Sequence, residues 1–244
     1  MFPKTSYTSN IIQQRIHNTC QGKSSDRLIV FGDSFAAHDI NGQGWPDFLS
    51  WDMDRCLINY AEHGTSLYYS VQAFFDYFNK DYRPTDIIVF ITTSYTRLPV
   101  LHPGAPPVWQ GGFLRYIEAP KRWFNRKTKK EKYYRDNYQT LNFLATSLCS
   151  LQEHRNLYRL FVEFFNKNIG ASGLVINAFP ETDPETLTLA EISQAEGISV
   201  IDDLRVNHLS HDDNKLLTTA VNDYFTRGEF RLEKYWPDIK RETL

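Results

Sequence analysis

Nothing in this sequence of 244 residues is long and apolar enough to be a membrane span, which needs about 20 consecutive apolar residues. The opening Met1-Phe2-Pro3-Lys4-Thr5-Ser6 lacks the apolar stretch of a secretory signal, so the chain reads as soluble and cytoplasmic. Charge of one sign is not in excess either. A formal net charge of −2 gives no electrostatic reason to expect nucleic acid as a partner. Cysteine is scarce: Cys20, Cys56 and Cys149 are odd in number and far apart, which suggests neither a disulfide framework nor a zinc site. Cys56 sits beside an apolar run and reads as an inert core thiol. His63, His102, His154 and His211 lack metal-ligand spacing, so no metal or other cofactor is expected. There is no Gly-rich phosphate loop with a following lysine, which ranks a nucleotide binder last among the readings.

What is present is ample core material, with 41% hydrophobic and 15% aromatic residues. Residues 1–26 are polar and read as an arm or a short helix around Ile11, Ile12 and Ile16. Leu28-Ile29-Val30-Phe31 then reads as a buried strand ended by the turn Gly32-Asp33-Ser34. Pro46 suits the first turn of a short helix, and Leu57-Ile58-Asn59-Tyr60 reads as a second strand. Leu67, Val71, Phe74, Phe75 and Phe78 share one face of a helix over about 66–79. Asp86-Ile87-Ile88-Val89-Phe90-Ile91 is a continuous apolar run, the mark of a parallel strand covered on both faces, and it ends in Thr92-Thr93-Ser94.

Residues 98–132 interrupt this rhythm with Pro, Gly and Trp ahead of a basic run from Lys121 to Lys132. Their length without periodicity reads as an inserted lid. Helix is expected from about 133 to 168, a fourth strand at 174–179, a short helix at 184–196 and a fifth strand at 198–201. Ser210 with Asp213 three residues on gives a capping-box pattern for a last helix. Leu216, Leu217, Ala220, Val221 and Tyr224 line one side of it as far as Gly228, and 229–244 form a tail. The alternation of strands and helices predicts an α/β fold, a flavodoxin-like three-layer sandwich with a five-stranded parallel sheet spanning 27–228.

In such a sheet the carboxyl ends of the strands are where ligands sit. Ser34 and His208 both fall there, from opposite ends of the chain. The bland alternative is that Asp33 or Ser34 only closes a turn. A hydroxyl becomes a useful nucleophile when a base about 3 Å away removes its proton, and imidazole suits that task near neutral pH.

This arrangement resembles the GDSL or SGNH hydrolases, a family of esterases, lipases and carbohydrate acetylesterases. Gly32-Asp33-Ser34 resembles that family's nucleophile block and His208 its catalytic histidine, while Asn59 and Gly64 resemble the block that helps form the oxyanion hole. The resemblance implies a serine hydrolase acting on a small-molecule or glycan ester, including sugar O-acetyl groups. Its site would comprise Ser34, His208 and Asp203, with Ser34, Gly64, Thr93 and Ser94 at the oxyanion hole. Two departures stand out. The family's Gly-x-Asn-Asp block is here Thr92-Thr93-Ser94-Tyr95, and its aspartate position, three before the histidine, holds Arg205. Asp203, Asp202 or no carboxylate at all completes the triad. The stretch Asp203–Ser210 resembles a divergent branch of phage-encoded and environmental sequences, which adds a virion-associated location and a rival function: a binding or phage structural module that keeps the fold without turnover. The oligomeric state is not readable from the sequence.

Overall fold

The computed structural model describes residues 17–20, 23–37, 44–63, 65–94, 151–180, 186–195 and 208–239. Its centre is a sheet of β1 (His17–Thr19), β2 (Arg27–Phe31), β3 (Cys56–Asn59), β4 (Ile87–Ile91) and β5 (Gly173–Ile176) in the order β1-β3-β2-β4-β5. The last four are mutually parallel through β3–β2, β2–β4 and β4–β5, with Ile29 opposite both Ile58 and Ile88. β1 instead runs antiparallel to β3.

Strand side chains alternate between two faces, and both faces are buried. Leu28, Val30, Ile87, Val89 and Ile91 pack on one side against α1 (Trp45–Asp52), α4 (Leu189–Ala195) and α5 (His211–Arg227). Ile29, Phe31, Ile88 and Phe90 pack on the other against α2 (Leu67–Lys80) and α3 (Leu151–Asn168). This makes three layers, helix on sheet on helix. The parallel strands follow the doubly wound order in which the chain first extends one way from β2 and then, from β4, the other way. The carboxyl ends of β2 and β4, at the centre of this order, are where doubly wound folds place their ligands.

The opposite edge of the sheet is locked by charge. Asp86 is fully buried and accepts from Arg27 Nε at 2.8 Å and Nη2 at 2.6 Å, from the Arg83 N–H at 2.8 Å, and from the Tyr77 hydroxyl. Arg27 also donates to Asp81 Oδ2 at 2.8 Å. The hydrogen bond to Asp86 raises the Arg27 pKa above its ordinary value. Burial, then the Asp86 hydrogen bond, pushes the Tyr77 phenol up as well.

Several expectations need correction. The N-terminal stretch contributes a strand at 17–19; helix or loose arm does not describe these residues. Its residues carry no apolar period, and the strand exists because the edge of β3 offers unpaired backbone groups. Cys56 is not a core thiol, because it is disulfide-bonded to Cys20, with Cα atoms 4.3 Å apart. Cys20 follows the Thr19–Leu57 pair by one residue, so antiparallel register places it opposite Cys56. Leu216 is 38% exposed, whereas Leu217, Ala220 and Val221 are buried as expected. Ser210 is the N-cap of α5: its Oγ accepts from the Asp213 N–H at 3.1 Å, and Gly228 ends α5 with φ +77°. Residues set apart as a tail pack Leu232 and Trp236 into the core. The lid at 98–132, the helix before 151 and the fifth parallel strand at 198–201 lie outside the described residues.

Candidate active site at the carboxyl edge of the sheet

Gly32 makes the turn possible. Its φ is +152°, and a Cβ there would lie 2.7 Å from Ile91 Cβ and 3.2 Å from the Ile91 carbonyl oxygen. Only glycine lets the end of β2 pass so close to the end of β4. Asp33 then closes the turn. Its carboxylate is fully buried, accepting from the Phe35 N–H at 3.0 Å and from the Thr93 hydroxyl at 2.9 Å, while its carbonyl accepts from the Ala36 N–H at 3.0 Å.

With Asp33 in the structural role, Ser34 has none. Its side chain is 2% exposed, and its Oγ is buried without a hydrogen bond among the described residues. A buried unpaired hydroxyl costs about 1–3 kcal/mol.

The neighbouring strand ends hold this turn from both sides. Asn59, at the end of β3, donates to the Ala36 carbonyl at 2.7 Å and accepts from the Ala61 N–H at 2.9 Å. Thr65 donates to the Glu62 carbonyl at 2.8 Å, with a longer contact of 3.3 Å to the Gly32 carbonyl. Thr92, at the end of β4, accepts from the Ala178 N–H at 3.1 Å and so ties β4 to the chain leaving β5.

His208 arrives from the far end of the chain, two residues before the Ser210 cap of α5. It is 2% exposed, and its ring centroid lies 5.2 Å from that of Phe35, the residue after Ser34. Its φ is +64°, a left-handed conformation that a side-chain-bearing residue seldom adopts. Such strain, about 1–3 kcal/mol, concentrates at functional sites. The fold thus brings Ser34, His208, Thr93 and Ser94 to one edge.

No family model matches this chain, and no curated protein matches it. Among solved structures, a member of the lipolytic protein G-D-S-L family from Veillonella parvula shares 16% identity, covering 83% of this chain and 100% of that one. The TM-score is 0.39.

Of the expected oxyanion donors, Thr93 is occupied: its hydroxyl donates to Asp33, with a longer contact of 3.2 Å to the Thr65 carbonyl. Ser94 is buried on the same edge. Gly64, Asp202, Asp203 and Arg205 lie outside the described residues. Among the described residues, no group of three or more His, Cys, Asp or Glu side chains is arranged to hold a metal, and no helix is long and apolar enough to cross a membrane.

Sequence reasoning passed over one neighbour. His154, in the first turns of α3, hydrogen-bonds to the backbone of Thr93 and so braces the end of β4. Burial first, and then the Arg155 charge, push its imidazole down to about 4, against the opposing pull of Thr93. Its position 61 residues from Thr93 left no spacing signal in the sequence.

Proposed function

We propose that this chain is a serine hydrolase that cleaves carboxylic esters by acyl transfer. Ser34 Oγ attacks the carbonyl carbon while the His208 imidazole takes its proton. The tetrahedral intermediate collapses, the C–O bond to the alcohol breaks, and the imidazolium protonates the departing alkoxide. Water, deprotonated by the same imidazole, then attacks the acyl-serine and regenerates the hydroxyl. Asp203 or Asp202 orients the ring, or the pair acts as a dyad. Backbone N–H groups of Ser34 and Gly64, with the Ser94 or Thr93 hydroxyl, hold the oxyanion.

One observation carries this reading. The Ser34 hydroxyl is buried with no hydrogen bond among the described residues, on the turn whose next residue packs against the strained His208. The test is hydrolysis of short-chain aryl esters and of O-acetylated glycans by the wild-type chain, with Ser34→Ala as control. Turnover that survives Ser34→Ala sinks the proposal.

The second reading, a binding or structural module without turnover, is favoured by two features. Ser34 is 2% exposed, and the Thr93 hydroxyl is spent on Asp33 where the family presents an asparagine amide. Losing one oxyanion donor costs about 10²–10³ in rate. An inert Ser34 toward fluorophosphonates, together with no ester hydrolysis, selects this reading over the first.

A further inference from the structure

We propose that Trp45 and Asn214 are positioning residues: a buried bridge that sets the Ser34 turn and the His208 loop at a fixed relation. This rests on the serine-hydrolase reading and adds the device that holds its two halves together.

Trp45 begins α1 and Asn214 lies in the first turn of α5, 169 residues later. Both are fully buried. The Trp45 indole N–H donates to the Phe35 carbonyl at 2.8 Å, and Phe35 is bonded directly to Ser34. The Trp45 backbone N–H donates to Asn214 Oδ1 at 2.8 Å. Asn214 Nδ2 in turn donates to the Ser210 carbonyl at 2.9 Å and to the Leu209 carbonyl at 3.2 Å. Leu209 is bonded directly to His208. Two side chains therefore connect the residue after the nucleophile to the residue after the base.

The chemistry of the bridge is specific. Asn214 faces an N–H on one side and two carbonyls on the other, which only a carboxamide satisfies. A carboxylate of the same shape sets oxygen against oxygen. The indole is needed for a different reason, because its single N–H reaches the Phe35 carbonyl from within the core. Thr218 reinforces the pair by donating to the Asn214 carbonyl at 2.8 Å, with a longer contact of 3.3 Å to the Trp45 carbonyl. Ser210 already caps α5, while Asn214 Oδ1 satisfies the first N–H of α1, whose Gly44 cap has no side chain to do so. What they add is the restraint on His208, whose left-handed backbone persists only if its surroundings fix it.

The experiment compares wild type, Trp45→Phe and Asn214→Asp in aryl-ester kinetics, thermal unfolding, and the NMR signal of the His208 imidazole. Misplacing a catalytic group by about 1 Å costs about 10²-fold. Trp45→Phe keeps the ring and loses only the N–H, so it should lower kcat by about 10- to 100-fold with KM within about twofold. The His208 signal should move in the same variant. Slow solvent exchange of the Trp45 indole proton in the wild type reads the bond directly, without any variant. A merely structural role would lower the melting temperature and leave kcat per folded molecule and the His208 signal unchanged, and that result overturns the bridge. Fast exchange of the indole proton overturns it too. If the wild type neither hydrolyses esters nor reacts with fluorophosphonates, the serine-hydrolase reading fails instead, and the bridge loses its catalytic purpose with it.

Discussion

Replacing Ser34 by alanine should make the protein more stable while it removes activity. The Oγ is buried and unpaired among the described residues, and such a hydroxyl costs about 1–3 kcal/mol relative to one exposed to water. Removing it leaves a void of one oxygen atom, roughly 10–15 Å³, which returns only about 0.3 kcal/mol of cavity cost. The net gain is about 1–2 kcal/mol. For a chain of this size each kcal/mol shifts the melting temperature by about 2–4 °C, so the midpoint should rise by at least about 2 °C. Over the same substitution ester turnover should fall by about 10⁴-fold or more, since a triad without its nucleophile keeps only the binding and oxyanion contributions. Calorimetry and aryl-ester hydrolysis on one preparation read both quantities. A midpoint that drops by several degrees would mean that the hydroxyl supports the fold, and the argument from its burial would collapse.

The remaining expectations concern the frame around the site. Asp86→Ala strips Arg27 of its buried partner at the far edge of the sheet and should cost about 3–5 kcal/mol by urea denaturation; a loss under about 1 kcal/mol contradicts the charge lock. Cys20→Ser releases a loop closed over 36 residues, with an upper loss of about 4 kcal/mol. Unchanged unfolding after reduction of the wild type would contradict that tether. His154 titrates in the fold at about 4, below its ordinary 6.5, so the unfolded chain takes up its proton first. Stability is therefore kept above pH 6.5 and lost progressively as pH falls from 6.5 toward 4. His154→Gln should flatten that part of the stability profile, and an unaltered profile would show that other groups set it.

The sheet and its rim were legible for a simple reason. β2 and β4 are continuous apolar runs because both faces of a central parallel strand are covered, and such runs need no knowledge of partners. The α5 cap is equally local, since Ser210 and Asp213 lie three residues apart. Ser34 and His208 could be placed on one edge because the winding of the sheet sends every β-to-α turn there. What stayed hidden is what depends on pairing across the chain. His17-Asn18-Thr19 is a strand only because β3 lies beside it, and Cys20 meets Cys56 only through that register. The commitment of the Thr93 hydroxyl to Asp33, and the link from Trp45 to Asn214, join residues 60 and 169 positions apart. Leu216 shows the limit of helical periodicity, which places a residue near the apolar face without fixing the width of the contact.

The central claim is that folding activates the Ser34 hydroxyl through His208. Its most direct measurement is peptide mapping by mass spectrometry after brief exposure to a fluorophosphonate. The account predicts a single phosphonyl adduct, on Ser34, that is lost in His208→Ala. No adduct on the wild type, or labelling at Ser34 that persists undiminished in His208→Ala, would contradict it.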